Sequence, residues 1–407
     1  MNTPDEIQAR LINRIEKGIG QEFSAQLNVL KERGDYSPEL DYFLDILSMQ
    51  INGSESIKHY GRPAIGLYCI QVPLELVDAI GFQPVRLISG SQVMHKLSSG
   101  LLPILACPFI KSCAGSFYRE NSLERVCDSI VMPTTCDWNV KMDQVLPDNI
   151  PAFYRMELPH VKESEKGRKR WFEELIDFKK FLEKRAGQGL KRKDLLKSID
   201  KYNRAWAVFN RLKGMRSKGR LSGTWFIIIA NAFLIDRVES WTEKALYFLK
   251  RYKPCNIDRP DIFLAGAPVF YPYLKIPELI EEAGMNISGD ELCTSERISS
   301  SVIYDDTSRF GLLNALADRY HLACSCPTYS DNDRRLSSIL NTMQNCGIKG
   351  MVYHVLKGCH PYDMESFYFE RAVKEKGIRF LKVETDFSKE DRQNILTRLE
   401  AFKETLS

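Results

Sequence analysis

The strongest constraint on this chain is an alternation of two periodicities. Residues 64–88, AIGLYCIQVPLELVDAIGFQPVRLI, pass from a short apolar run into an amphipathic segment that stops at Gly81, then into a second apolar run, PVRLI. Short apolar runs separated by helical segments predict strands of a parallel sheet buried on both faces. LLPILACPFIKSCAG (101–115) and SIVMPTTCDWNVKM (129–142) continue the rhythm, with PILA and SIVMPTT as strands. From about His160 to Pro254 it gives way to long charged segments closed by glycine, FEELIDFKKFLEKRAGQG and KDLLKSIDKYNRAWAVFNRLKGMRSKG. Beyond Pro260 it returns: DIFLAGAP, GIKGMVYHVLKGC and IRFLKVETD are strands, and YLKIPELIEEAG, MESFYFERAVKEKG and KEDRQNILTRLEAFKETL are helices. Residues 1 to about 55 carry Ile, Leu and Phe at three- and four-residue steps, as a helix requires. The expected architecture is α/β, divided into an N-terminal helical segment (1–55), a first α/β domain (56–159), a helical block (160–255) and a second α/β domain (256–407).

A chain of 407 residues exceeds what one core fills, and its 44% hydrophobic and 27% charged residues are ordinary for globular proteins. The longest apolar run, TWFIIIANAFLI (224–235), is too short for a membrane span, and the charged, periodic N-terminus has no export signal. A cytoplasmic protein without a membrane partner is expected. Lys and Arg concentrate between Lys162 and Arg220, but acidic residues are interleaved and no nucleic-acid motif accompanies them. They read as a solvated helical face, or a docking surface for an acidic or phosphate-bearing partner, rather than a nucleic-acid surface.

Eleven cysteines include no CxxC pair. In an intracellular chain that argues against a disulfide framework and a zinc ribbon, so any metal must be bound by convergence in space. Cys107, Cys136 and Cys359 share one context: each follows a run read as a strand. Cys136 and Cys359 also stand at helix starts, whose positive end favours the thiolate that ligates iron. The carboxyl edge of a parallel sheet is where ligands bind. From these residues alone, a three-thiolate metal site and three structural core thiols both remain open.

CPFIKSCAG, MPTTCDWNVKM, DELCTSER, CSCPTYSDNDRRL, VYHVLKGCHPYD and VETDFSKEDRQNILTRLEAF, together with the opening IGLYCIQVPLELVDAIGFQPVRL, resemble the ordered blocks of the 2-hydroxyacyl-CoA dehydratase and benzoyl-CoA reductase family. The resemblance is to the large cluster-bearing subunits and runs from about Ala64 to the C-terminus. It implies two Rossmann-like domains with added helices. It also implies that Cys107, Cys136 and Cys359 hold a [4Fe-4S] cluster with one open iron site. A one-electron ketyl mechanism would then eliminate water from a 2-hydroxyacyl-CoA, under oxygen-free conditions. Glu75, in the Pro-x-Glu segment, is the implied proton acceptor, set against an exposed first-turn carboxylate; His354 and His360 flank Cys359. No phosphate-binding G-x-x-x-x-G-K-[ST] loop occurs, so the low-potential electron would come from a separate ATP-hydrolysing iron-sulfur activator. The implied partner is a related second cluster subunit or a second copy.

The chain departs from the family in places. Ser295 replaces a common Gly and is expected to alter a tight turn, and Cys293 reads as a core thiol. Relatives with a double-cubane [8Fe-9S] cluster, which reduce small molecules, use additional cysteines. One of their positions is Asn121 here, and Cys113, Cys127 or the Cys324/Cys326 pair could compensate. A non-catalytic electron relay, or a scaffold with free thiols, is a further reading. The acyl group recognised is not encoded in any local motif.

Overall fold

The computed structural model describes residues 4–146, 150–254, 256–299, 311–323 and 325–406. Among these residues eight strands form two four-stranded, wholly parallel sheets. The first contains β1 (Ala64–Leu67), β2 (Gln83–Arg86), β3 (Ser129–Pro133) and β4 (Ala152–Met156) in the order β2-β1-β3-β4. The second contains β5 (Asp261–Gly266), β6 (Asn286–Asp290), β7 (Gly350–Leu356) and β8 (Arg379–Thr385) in the order β6-β5-β7-β8. In each sheet the chain moves outward from the first strand and then returns to the other side of it. That leaves a crevice at the carboxyl ends, between β1 and β3 and between β5 and β7, where open α/β sheets bind ligands.

The helices that matter here are α1 (Pro4–Lys31), α2 (Leu74–Ala79), α3 (Pro108–Ser116), α4 (Asp137–Lys141), α5 (Glu165–Ala186), α6 (Arg192–Arg216), α7 (Gly223–Phe233), α8 (Val238–Arg251), α9 (Lys275–Glu282), α10 (His360–Glu375) and α11 (Arg392–Glu404). The long apolar run of the sequence becomes α7, buried at every residue. It lies between the two sheets: the β2 edge donates from Arg86 N to Leu234 O just past α7, while Gly223 lies so close to β6 that a Cβ there would sit 2.4 Å from Ile287 Cβ. The helical block thus covers an edge of each sheet, and an aromatic cluster of Trp206, Phe209, Phe233 and Trp241 knits α6, α7 and α8 together. Helix α1 and the residues just after it strap both halves. Glu22 accepts from Ser91 and Gln92 of the first, and Arg33 pairs with Glu281 of the second. No helix among the described residues is long and apolar enough to cross a membrane.

Two strands lack the expected pattern. β4, AFYRM, is a half-exposed edge, and β6, NISGD, is polar yet fully buried, because pairing with β5 rather than hydrophobicity makes it a strand. Conversely, PILA is not a strand. Pro103 starts a turn closed by Ala106 N to Pro103 O, which leaves Ile104 and Leu105 facing solvent. The basic segment is a solvated face with internal pairing, as in Lys179–Glu183 and Lys180–Asp177, Arg204–Asp200 and Arg185–Asp128.

Candidate metal centre

Each of the three singled-out cysteines stands directly before a helix: Cys107 before α3, Cys136 before α4, Cys359 before α10. Proline in the first turn of α3 and of α10 fixes the backbone where the chain turns helical. First-turn N–H groups point at the sulfurs: those of Phe109 and Ile110 at Cys107, of Trp138 and Asn139 at Cys136, and of Tyr362 at Cys359. Cys136 and Cys359 follow β3 and β7 as expected. Cys107 does not follow a strand; the turn at Pro103 delivers it.

What brings Cys107 to Cys359 is a close backbone crossing. Gly358 has φ +78°, and a Cβ there would lie 2.1 Å from Leu105 O, so only glycine lets the two loops meet. The Trp138 indole donates to Gly358 O at 3.3 Å and ties in the Cys136 loop. All three sulfurs line one cavity of about 130 Å³ at the facing carboxyl ends of both sheets. Three further thiols share that wall: Cys69 just past β1, Cys293 just past β6, and Cys326. Cys69 is the one non-glycine among the described residues with positive φ, +80°, a conformation that costs about 1–2 kcal/mol and clusters at functional sites.

The Cys359 thiol hydrogen-bonds Cys107, which holds Cys107 below the ordinary thiol range; the same bond, reinforced by burial, pushes Cys359 well above it. Burial pushes Cys136 up to about 11 against its backbone donors. Burial therefore favours the protonated thiols of Cys136 and Cys359, and a metal would displace those protons. Among the described residues no three His, Cys, Asp or Glu side chains converge tightly enough for a single ion. An iron-sulfur cube, whose irons and sulfides separate its ligands, needs a wider arrangement. The cavity is well below the roughly 300–1,000 Å³ of organic-ligand pockets, so its thiols, its size and its N–H donors fit a compact inorganic anion. Beside it runs an open groove of about 940 Å³, which shares Thr135, Cys136, Trp138, Thr328 and Pro361 with the cavity.

The chain matches the family described as 2-hydroxyglutaryl-CoA dehydratase, D-component, over residues 69–406. It belongs to that family. It is 29% identical to YjiM of Escherichia coli (strain K12), provisionally named a dehydratase subunit, over 86% of this chain and 93% of that one. It is 22% identical to the (R)-phenyllactyl-CoA dehydratase beta subunit of Clostridium sporogenes, over 85% and 92%. It is 24% identical to the beta subunit of (R)-2-hydroxyglutaryl-CoA dehydratase of Acidaminococcus fermentans, over 86% and 94%.

Within this dehydratase-family chain the other expected residues are placed differently. Glu75 is not an exposed first-turn carboxylate but fully buried; it accepts from Tyr320 Oη at 2.6 Å, lies 3.7 Å from Arg319 Nε, and is absent from the cavity wall. Burial raises its pKa against the attraction of Arg319. His354 is buried within β7, its Nδ1 3.2 Å from Ala267 O, and burial lowers it to about 4. His360 instead lines the groove. Cys113 is buried in α3 against Leu87 O, and neither it nor Cys127 lines the cavity. Asn121 bonds Asn52, and Cys324 lies outside the described residues. The turn at Ser295 closes without glycine, its N–H on Leu292 O and its hydroxyl on Asp290.

Sequence reasoning missed Cys69, although the strand-end rule applied to β1 points to it. It also missed Tyr362 on the cavity wall, whose hydroxyl accepts from Arg297 at 3.1 Å. Arg297 and Arg335 are buried against Glu291, and Arg335 also against Glu365. No local motif marks that network.

Proposed function

We propose that this chain is the cluster-bearing subunit of a 2-hydroxyacyl-CoA dehydratase, with Cys107, Cys136 and Cys359 as the ligands of a [4Fe-4S] cluster. The observation that carries it is the convergence of three helix-start thiols, separated by 29 and 223 residues, on one small cavity at both sheets' carboxyl ends. Such a cluster supplies a one-electron couple and an open iron position.

This chain's own residues do the rest. N–H groups of α3, α4 and α10 hold negative charge on the sulfurs. The groove receives the extended acyl-CoA, with its reacting end where Thr135, Thr328 and Pro361 border both spaces. His360, exposed in the groove next to Cys359, is the proton acceptor we assign, since Glu75 in α2 is buried against Tyr320 and does not line the cavity. The electron comes from a separate ATP-hydrolysing activator, and a second subunit completes the enzyme.

One observation favours a second reading. Cys69, Cys293 and Cys326 share the cavity, so six thiols surround it, and an [8Fe-9S] reductase has its additional ligands there rather than at Cys113 or Cys127.

Anaerobic iron and sulfide analysis decides between them. About four irons per chain, lost in Cys107→Ser, Cys136→Ser and Cys359→Ser but kept in Cys113→Ser, is the expected result. About eight irons, sensitive also to Cys69→Ser or Cys326→Ser, establishes the reductase. No iron after reconstitution refutes both, and a cluster spectrum indifferent to 2-hydroxyacyl-CoA reduces the chain to an electron relay.

A further inference from the structure

Tyr362 stands on the cavity wall and serves two thiols at once. It lies in the first turn of α10, where a backbone N–H has no partner within the helix, and that N–H points at Cys359. Its hydroxyl donates to Cys293 and accepts from Arg297 Nη1 at 3.1 Å. Arg297 is itself only 4% exposed. A buried cation therefore sits one hydroxyl group behind the thiols of the second half. Among the described residues no Lys, Arg, Asp or Glu side chain lines the cavity, so fixed charge reaches it from the layer behind.

That layer is neutral in sum but not evenly spread. Glu291 accepts from Arg335 through both Nε, at 2.9 Å, and Nη2, from Arg297 Nη2, and from the Gly266 N–H at 3.0 Å. Glu365 accepts from Arg335 and from Tyr353. Both carboxylates thus gather round Arg335. Arg297 shares only Glu291, turns its other terminal nitrogen to Tyr362, and keeps a buried Nε without a hydrogen-bond partner. The positive end of the network therefore faces the thiols. Burial raises the Cys293 thiol to about 11, and among the charges acting on it the attraction of Arg297 comes ahead of the repulsion of Cys326 and Glu291. Buried ion pairs are a poor means of stabilising a fold, since packed apolar residues often do as well, so a network behind this wall points to another use.

We propose that Arg297, acting through the Tyr362 hydroxyl, is a positioning residue that raises the reduction potential of the centre held in this cavity, a role that rests on the cluster reading. One-electron reduction adds negative charge to a cluster and its sulfurs, and a cation fixed in a dry wall favours that state, as do hydrogen bonds to the sulfurs. The electron comes from the activator already assigned. Arg297 keeps its protons throughout, as a guanidinium must, so no proton has to move with the electron. Arg335 fixes Glu291 and Glu291 fixes Arg297, so the charge stands in place before the electron arrives.

A potentiometric titration of the anaerobically reconstituted full chain, followed by electron paramagnetic resonance, tests the assignment. Arg297→Gln should move the midpoint to more negative potential by about 59 mV or more, a tenfold change for a one-electron couple. Tyr362→Phe, which removes a hydroxyl and keeps the charge, should move it the same way by a smaller step. Arg297→Lys should lie closer to the wild type than Arg297→Gln does. An arginine with a purely structural role would instead lower iron content and melting temperature, and leave the midpoint of the remaining clusters where it was. If Arg297→Gln does not fold, the midpoint of Tyr362→Phe decides alone. Unchanged midpoints in variants that hold their iron overturn the proposal and leave the cluster reading standing; a wild type that takes up no iron overturns both.

Discussion

The two sheets share a strand order and supply three cavity thiols each, Cys69, Cys107 and Cys136 from the first half and Cys293, Cys326 and Cys359 from the second. They differ in what stands behind those thiols. In the first half the backing is mainly aromatic, Tyr68 stacked on Phe117 with Cys113 buried nearby, and its buried carboxylate, Glu124, accepts from the Ser116 hydroxyl rather than from an arginine pair. In the second it is ionic: Arg297 and Arg335 hold Glu291, Arg335 reaches Glu365, and Tyr353 donates to Glu365 at 2.8 Å. The shared topology therefore decides where a site can form, and the loops decide its electrostatics. A fixed ionic layer on one side gives the cavity an electrical asymmetry that the fold alone does not.

The sharpest way to break this comparison is to remove a charge from each half. Arg335→Met leaves Glu291 to Arg297 alone and Glu365 to the Tyr353 hydroxyl, and should cost about 3 kcal/mol in urea unfolding. Arg62→Met in the first half should cost about 1 kcal/mol or less, because Asp78 keeps Lys201 at 3.2 Å. Equal losses would show that the second network is not special.

A second pair compares the glycines of the two central strands. A Cβ on Gly266, φ +112°, would meet His354 backbone oxygen at 2.0 Å, whereas one on Gly66 would meet the Leu87 side chain at 2.3 Å. Backbone cannot give way as a side chain can, so Gly266→Ala should cost about 2–5 kcal/mol and Gly66→Ala about 1–3. The order of the two melting temperatures checks it.

Acid should act through the buried histidines, His354 in β7 and equally His321, which burial also lowers to about 4. His354 is buried and neutral, its pKa lowered to about 4 by burial, so the unfolded chain takes up the proton before the folded one. Stability should accordingly fall as pH drops from about 6.5 to about 4, by about 3 kcal/mol at most for this group, and be insensitive to it above that window. His354→Gln should flatten the slope of stability against pH there; an unchanged slope would reassign the acid sensitivity. The smallest effect belongs to the basic helical face: Lys180→Ala should change stability by less than about 0.5 kcal/mol, since its partner Asp177 is as exposed as the lysine.

Six strands, the helical block and the start of helices at Cys136 and Cys359 were legible because each is a local pattern: apolar runs, amphipathic periods, a cysteine before a helix start. β6 was not legible, since NISGD has no strand pattern and owes its conformation to β5. PILA misled for the opposite reason, an apolar run whose proline turns it out toward solvent. At the site, the three cysteines could be named in advance, but Glu75 could not be placed: its first-turn position suggested exposure, while packing against Tyr320, 245 residues away, buries it.

By itself, then, the sequence determined two parallel α/β sheets, the helices between them and the three helix-start cysteines, because strand and helix periods are written within a dozen residues. The tertiary structure alone decided that Gly358 lets the Leu105 loop cross it and so brings Cys107 to Cys359. It alone added Cys69, Cys293 and Cys326 to the same wall and set Arg297 behind Tyr362. Those outcomes depend on sheet order and on close approach between segments far apart in the chain, and neither leaves a trace in local spacing.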